Sequence, residues 1–283
     1  MRPQESGELP GGSAEPARPL PFRWFPGSPG FIRKTVPLAE MEIWKLRHDP
    51  TELVSRVVQP ALWLLVFGPI FGRVHGIPTG GVRYLDFMAP GILAQSVLFI
   101  AIFYGIAIIW ERDLGIVHKF LASPTPRAAL VLGKALSAGV RGLSQAVIIY
   151  VIAILLGVGL NWRLSALLGV LAAVLLGAAF FSTLSLIVAC LVKTRERFMG
   201  IGQLLTMPLF FASNAIYPIS LMPGWLRVIA RVNPLTYEVD ALRSLMLAGG
   251  GSVYGLGLDL GVLLAATALL VALAARLYPT VVR

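Results

Sequence analysis

Residues 110–136 read WERDLGIVHKFLASPTPRAALVLGKAL, a polar stretch punctuated by Pro124 and Pro126 and set between two apolar runs, 88–110 and 128–158. Each run exceeds the roughly 20 residues that a helix needs to cross a hydrocarbon core about 30 Å thick. A short charged segment held between two such runs lies at a membrane face. There Glu111, Arg112, Asp113 and Lys119 offer a soluble partner something to hold.

The same pattern extends outward. The 283 residues are 57% apolar and 13% charged, with a mean hydropathy of +0.78, whereas soluble domains carry about 25% charged residues. Further apolar segments lie at 57–71, 164–192, 198–219 and 253–277. Alternating β-barrel patterning is absent, so the runs read as helices. The expected fold is all-α, a polytopic membrane protein with six transmembrane helices, and 57–283 forms the membrane domain.

Orientation follows from the basic residues, because cytoplasmic loops carry the excess of Lys and Arg. Of the 24, 17 fall on the side of the two termini, six on the other, and Arg141 sits within the third run. Both termini are therefore expected in the cytoplasm, with the chain multi-pass in the cytoplasmic membrane. The net charge of +10 reads as topology and attraction to anionic lipid. The basic residues lack the aromatic interleaving of a nucleic-acid surface, so no nucleic acid is expected. Residues 1–30, with seven prolines and five glycines, read as a disordered cytoplasmic tail. Residues 31–56 read as an interfacial amphipathic helix anchored by Trp44 and its basic neighbours.

Chemistry is sparse. Gly133-Lys134 lacks the earlier glycine and the following Ser or Thr of a phosphate-binding loop, since Ala128 and Ala135 stand there. Cys190 is alone and reads as a packing residue, and His48, His75 and His118 have no ligand spacing, so no metal site is expected. Between the span ends the only acid is Asp259, where a proton-driven carrier places several. Arg141 reads either as a cavity-lining charge or as a snorkelling side chain. A non-catalytic subunit with its motor on another chain is the expectation. An ion-coupled carrier and a membrane enzyme using Glu238 and Asp240 stand as alternatives.

Two motifs carry a resemblance. Glu111-Arg112, Gly115, Lys119, Leu121, Ser123-Pro124, Arg127 and Gly133-Lys134 form one spaced set. The second, at 217–247, reads YPISLMPGWLRVIARVNPLTYEVDALRSLML. Together they resemble the membrane-spanning subunits of type-2 ATP-binding-cassette exporters, the ABC-2 permeases, and among them the daunorubicin-resistance kind. The resemblance covers nearly the whole chain after the tail. His118 and Lys119 depart from it, standing where acidic or amide residues are common.

The resemblance implies that about 111–124 is a coupling helix docked on a cytoplasmic ATPase, with contacts from Glu111, Arg112, Gly115, Lys119, Leu121 and Pro124. Gly115 would allow close approach and Pro124 would stop the helix. It also implies that about 220–248 is an external re-entrant segment carrying Pro223, Trp225, Asn233, Pro234, Tyr237, Asp240 and Arg243. Prolines break that segment, so it cannot cross as one clean helix, and Glu238, Asp240 and Arg243 stand at a spacing that allows pairing.

The implied assembly is two permease subunits, identical or paralogous, with two ATPase subunits; ATP and Mg belong to the latter and no cofactor to this chain. The expected cargo is a drug-like or lipid-like amphiphile, with polysaccharide or another lipid-linked polymer as the alternative. Candidate path residues are Phe99, Phe103, Tyr104, Met207, Phe210, Phe211, Asn214 and Tyr217. Packing accounts for such aromatic stripes equally well.

Overall fold

The computed structural model describes residues 57–73, 79, 81–115 and 127–278, and every element longer than a turn is helical. The tail at 1–30 and the interfacial helix expected at 31–56 lie outside the described residues. Helix α1 is Val57–Gly72. Pro69 cannot donate to the carbonyl four residues back, and the winding widens just before it, where the Gly68 N–H reaches the Trp63 carbonyl.

The next span is two helices in line, α2 (Tyr84–Phe103) and α3 (Gly105–Asp113). At the break the Ile102 carbonyl accepts from the Ser185 hydroxyl of a neighbouring helix. A backbone group freed at membrane depth is thereby satisfied within the protein. Then come α4 (Arg127–Leu155), α5 (Leu164–Leu191) and α6 (Arg195–Phe211). A 3-10 turn at Ile219–Leu221 leads to α7 (Gly224–Val232), α8 (Pro234–Met246) and α9 (Leu256–Leu277).

Among the described residues, four helical stretches have the length and apolarity to cross a membrane: Tyr84–Asp113, Leu130–Leu155, Leu164–Leu191 and Leu256–Leu277. Of the other two expected spans, α1 is a shorter apolar helix. The run at 198–219 is helical only to Phe211, where the chain turns at Ala212 and ends α6.

Helix α5 is the hub, packing against α2, α4, α8 and α9. Its buried stripe is Val170, Ala173, Val174, Gly177, Ala178 and Phe181, at helical spacing, while Leu164, Leu168, Leu171 and Leu191 are exposed. Lipid is as apolar as leucine, so what separates the faces is size rather than polarity; small residues let neighbouring backbones close in. Gly177 is the limiting case: a Cβ there would run into the Glu238 carboxyl of α8.

Helix ends gather on two faces. On one, the 157–163 connection pairs with the end of α8 through Asn161 N–H to the Met246 carbonyl at 2.8 Å and Ala248 N–H to the Gly159 carbonyl at 2.8 Å. Arg83 joins Asp86 at 2.9 Å and donates to the Gly157 carbonyl. Asp86 raises the Arg83 guanidinium above its ordinary value, by hydrogen bond first and charge second. The opposite face carries the ends of α3, α5 and α9 and the starts of α4 and α6. A small separate core of Ile108, Val131, Cys190, Phe198 and Tyr278 lies beneath it, where Cys190 packs as expected.

Candidate functional site

The charged residues of the opening stretch meet at this second face. Glu111 on α3 accepts an ion pair from Lys134 on α4. Arg112 turns the other way and donates to the Val192 carbonyl at 3.2 Å and the Lys193 carbonyl at 2.6 Å. Those carbonyls close α5 and lack helical partners of their own. Asp113 takes Arg112 at 3.1 Å and Arg195 at 2.9 Å, and the Arg195 guanidinium lies 3.5 Å over the Trp110 ring. Arg195 stands in the first turn of α6, whose N-cap Thr194 accepts from the Arg197 N–H. Charge and backbone bonds thus tie four helices, α3, α4, α5 and α6, at one corner.

Gly115 ends α3 with φ +71°, a left-handed turn that glycine adopts without strain. No described atom lies within 4 Å of the place its Cβ would occupy. Among the described residues, then, the glycine serves backbone conformation rather than close packing. Lys119, Leu121 and Pro124 lie outside the described residues.

The second motif folds as two helices broken at Asn233-Pro234. Asn233 caps α8 by accepting the Leu235 N–H at 3.0 Å, and its amide donates to the Leu209 and Ala212 carbonyls at 2.7 and 3.1 Å. One side chain therefore starts α8 and closes α6. Helix α7 turns Trp225, Val228, Ile229 and Val232 outward along one stripe, the pattern of a helix lying at an apolar boundary. The Tyr237 hydroxyl donates to the Arg231 carbonyl at 2.5 Å.

By contrast α8 is nearly engulfed, with Glu238, Asp240 and Arg243 all buried. The pairing expected among these three does not form. Glu238 has no hydrogen-bond partner and faces Gly177. Asp240 accepts from Ser252, Val253 and Tyr254. Arg243 donates to the Asn214 carbonyl at 2.8 Å and lies 3.8 Å over the Phe87 ring. Helical spacing allows a pair only along one exposed face; here each side chain meets a different neighbouring element.

Residues 36–247 match the ABC-2 type transporter family. The chain belongs to this family. A daunorubicin resistance ABC transporter permease protein of Streptomyces coeruleorubidus is 30% identical over 82% of this chain and 81% of its own length. The ycf38 protein of Cyanophora paradoxa, whose name describes a transport permease, is 29% identical over 76% and 74%. Nodulation protein J of Rhizobium meliloti (strain 1021) is 27% identical over 75% and 79%.

Within this ABC-2 chain the candidate path residues divide. Phe99, Phe103, Tyr104 and Tyr217 are partly exposed, and Met207 and Phe211 are exposed. Phe210 is packed in the core, 5.6 Å from Trp63. Asn214 is buried with both side-chain polar atoms unpartnered; its backbone carbonyl receives Arg243. Arg141 lies 5.2 Å over the Tyr104 ring, beside the α2–α3 break.

Three residues that complete the site were missed as site residues in the sequence: Lys134, Arg195 and Ser252. Lys134 stood in the first motif but read as a phosphate-loop decoy. Arg195 follows a Thr cap signal, and Ser252 sits in an unremarkable glycine run.

Proposed function

We propose that this chain is the permease subunit of an ATP-driven exporter that moves a drug-like or lipid-like amphiphile out across the cytoplasmic membrane. Two such subunits, identical or paralogous, would form the path, and two cytoplasmic ATPase subunits would power it, holding the ATP and Mg. Six spans and two cytoplasmic termini complete the proposed topology, with α1 and α6 as the shorter crossings and α7 and α8 as external re-entrant helices.

The observation that carries the reading is the corner at Glu111–Asp113. The 116–126 segment leaves from it and returns at α4, and the corner is bonded to α4, α5 and α6. A displacement of that segment by a docked ATPase would reach four helices at once, and packed helices respond as bodies rather than by local yielding. ATP can drive such a change only by binding one arrangement of the assembly better than the other. The daunorubicin resistance relative supports the amphiphile class.

Co-purification in mild detergent of a co-expressed cassette ATPase with this chain, once with 111–126 intact and once scrambled, tests the reading. Capture lost on scrambling is the expected result. Failure of the intact chain to capture the ATPase would overturn it.

A further inference from the structure

Beneath the charged corner, the Tyr278 hydroxyl is buried without a hydrogen-bond partner among the described residues. Tyr278 directly follows α9, its N–H donating to the Ala274 carbonyl, and its side chain is fully buried. A hydroxyl in that position costs the folded state free energy, because it has left water without gaining a bond. A group of this kind asks for a reason.

Its surroundings point to the partner it lacks. Tyr278 belongs to the small core that contains Ile108 of α3 and Val131 of α4. Ile108 lies three residues before Glu111, and Val131 three before Lys134, so each shares a helix face with its charged neighbour. Helical side chains lean toward the N-terminus of their helix, which carries Glu111 back over Ile108 and Lys134 back over Val131. The ion pair between them therefore borders the core that holds Tyr278. Burial raises the Tyr278 hydroxyl above its ordinary value, and the charge of Glu111 is the next cause, ahead of Cys190.

Other acceptors at the corner are taken or weak. Asp113 receives Arg112 and Arg195, and the Val192 and Lys193 carbonyls receive Arg112. The thiol of Cys190 is a weak acceptor. Lys134 donates to Glu111 Oε2, while a carboxylate accepts at both of its oxygens.

We infer that the Tyr278 hydroxyl is the alternate partner of Glu111: the carboxylate pairs with Lys134 of α4 in the arrangement described and moves onto Tyr278 when α3 and α4 part. Tyr278 is then a positioning residue, and it brings the last span into the corner that ties α3 to α4, α5 and α6. A carboxylate that exchanges one partner for another gives the corner two definite arrangements, which a switch between two states of an assembly requires. The use of this exchange in coupling rests on the export reading; the exchange itself is a property of this chain.

The test uses the full chain in detergent, without ATPase, so its failure is separate from any failure of the export reading. Y278F removes only the hydroxyl, and its effect on thermal unfolding is compared in wild type, in K134M and in K134M joined with E111A. In wild type the melting temperature should stay within about 1 °C, because the deleted group has no partner there. In K134M, where Glu111 has lost its cation and turns to Tyr278, Y278F should lower it by about 2 °C or more. With E111A added, that loss should vanish.

A hydroxyl held by packing or by a bound water responds alike in all three backgrounds, and equal shifts would overturn the proposal. So would a loss in wild type as large as in K134M. Should K134M not fold, Y278F alone decides in the co-purified complex with the ATPase. Unchanged thermal stability with transport per ATP reduced roughly fivefold or more supports the exchange, and unchanged transport per ATP defeats it.

Discussion

Glu111 and Lys134, 23 positions apart, close an ion pair between α3 and α4. Both side chains are partly shielded, at 27% and 15% exposure, so the pair exceeds an ordinary surface bridge in worth. Reversing either charge alone should weaken transport roughly tenfold, from a loss of about 1 to 2 kcal/mol in the linkage. Joining E111K with K134E should restore most of it. Vesicle transport with the ATPase present is the readout, and a double variant no better than the singles would remove the pair from the coupling route.

Gly115 supplies a left-handed turn, with φ +71°, so substitutions there should rank by backbone tolerance. Asn enters that conformation readily and should leave ATPase coupling close to wild type, whereas Ala is expected to cost about 1 kcal/mol and Val more. The ratio of transport to ATP hydrolysis, measured on all three, checks the order. Equal loss for Asn and Val would show instead that a partner needs the bare backbone.

The α5–α8 contact depends on the absence of a side chain at Gly177. A methyl there meets the Glu238 carboxyl, so G177A should destabilise the chain by about 1 to 3 kcal/mol. E238A also destabilises by leaving a void. Combined, the two should cost at least about 1 kcal/mol less than their sum, because each removes what the other lacks. Denaturant unfolding of the four proteins in detergent gives the cycle.

Apolar length made the long helices legible, and the breaks at Ala212 and Asn233-Pro234 show why boundaries and crossing number were harder. The last carbonyls of α6 are closed by the Asn233 side chain at the start of α8, information that no local window contains. The charged corner was visible as a set of residues but not as bonds. Glu111 and Arg112 stood out, whereas Lys134 and Arg195 acquire meaning only when four helix ends converge. Helical spacing misled at Glu238, Asp240 and Arg243, since a buried helix sends each side chain to a different neighbour. Ser252 had no signal at all, because the two acids it bonds, Asp240 and Asp259, come from separate helices.

Asn233 joins both problems in one residue, since it caps α8 with its oxygen and closes α6 with its nitrogen. Ala at this position loses the cap and strands two carbonyls, at an expected cost of about 2 to 4 kcal/mol. Asp keeps the cap but sets carboxylate oxygens against the Leu209 and Ala212 carbonyls, a repulsion that Ala does not have. N233D should therefore be less stable than N233A by thermal unfolding at neutral pH, although Asp and Asn are equals at an ordinary N-cap. If N233D proves as stable as wild type, the bridge to α6 carries no weight and the cap alone explains the residue.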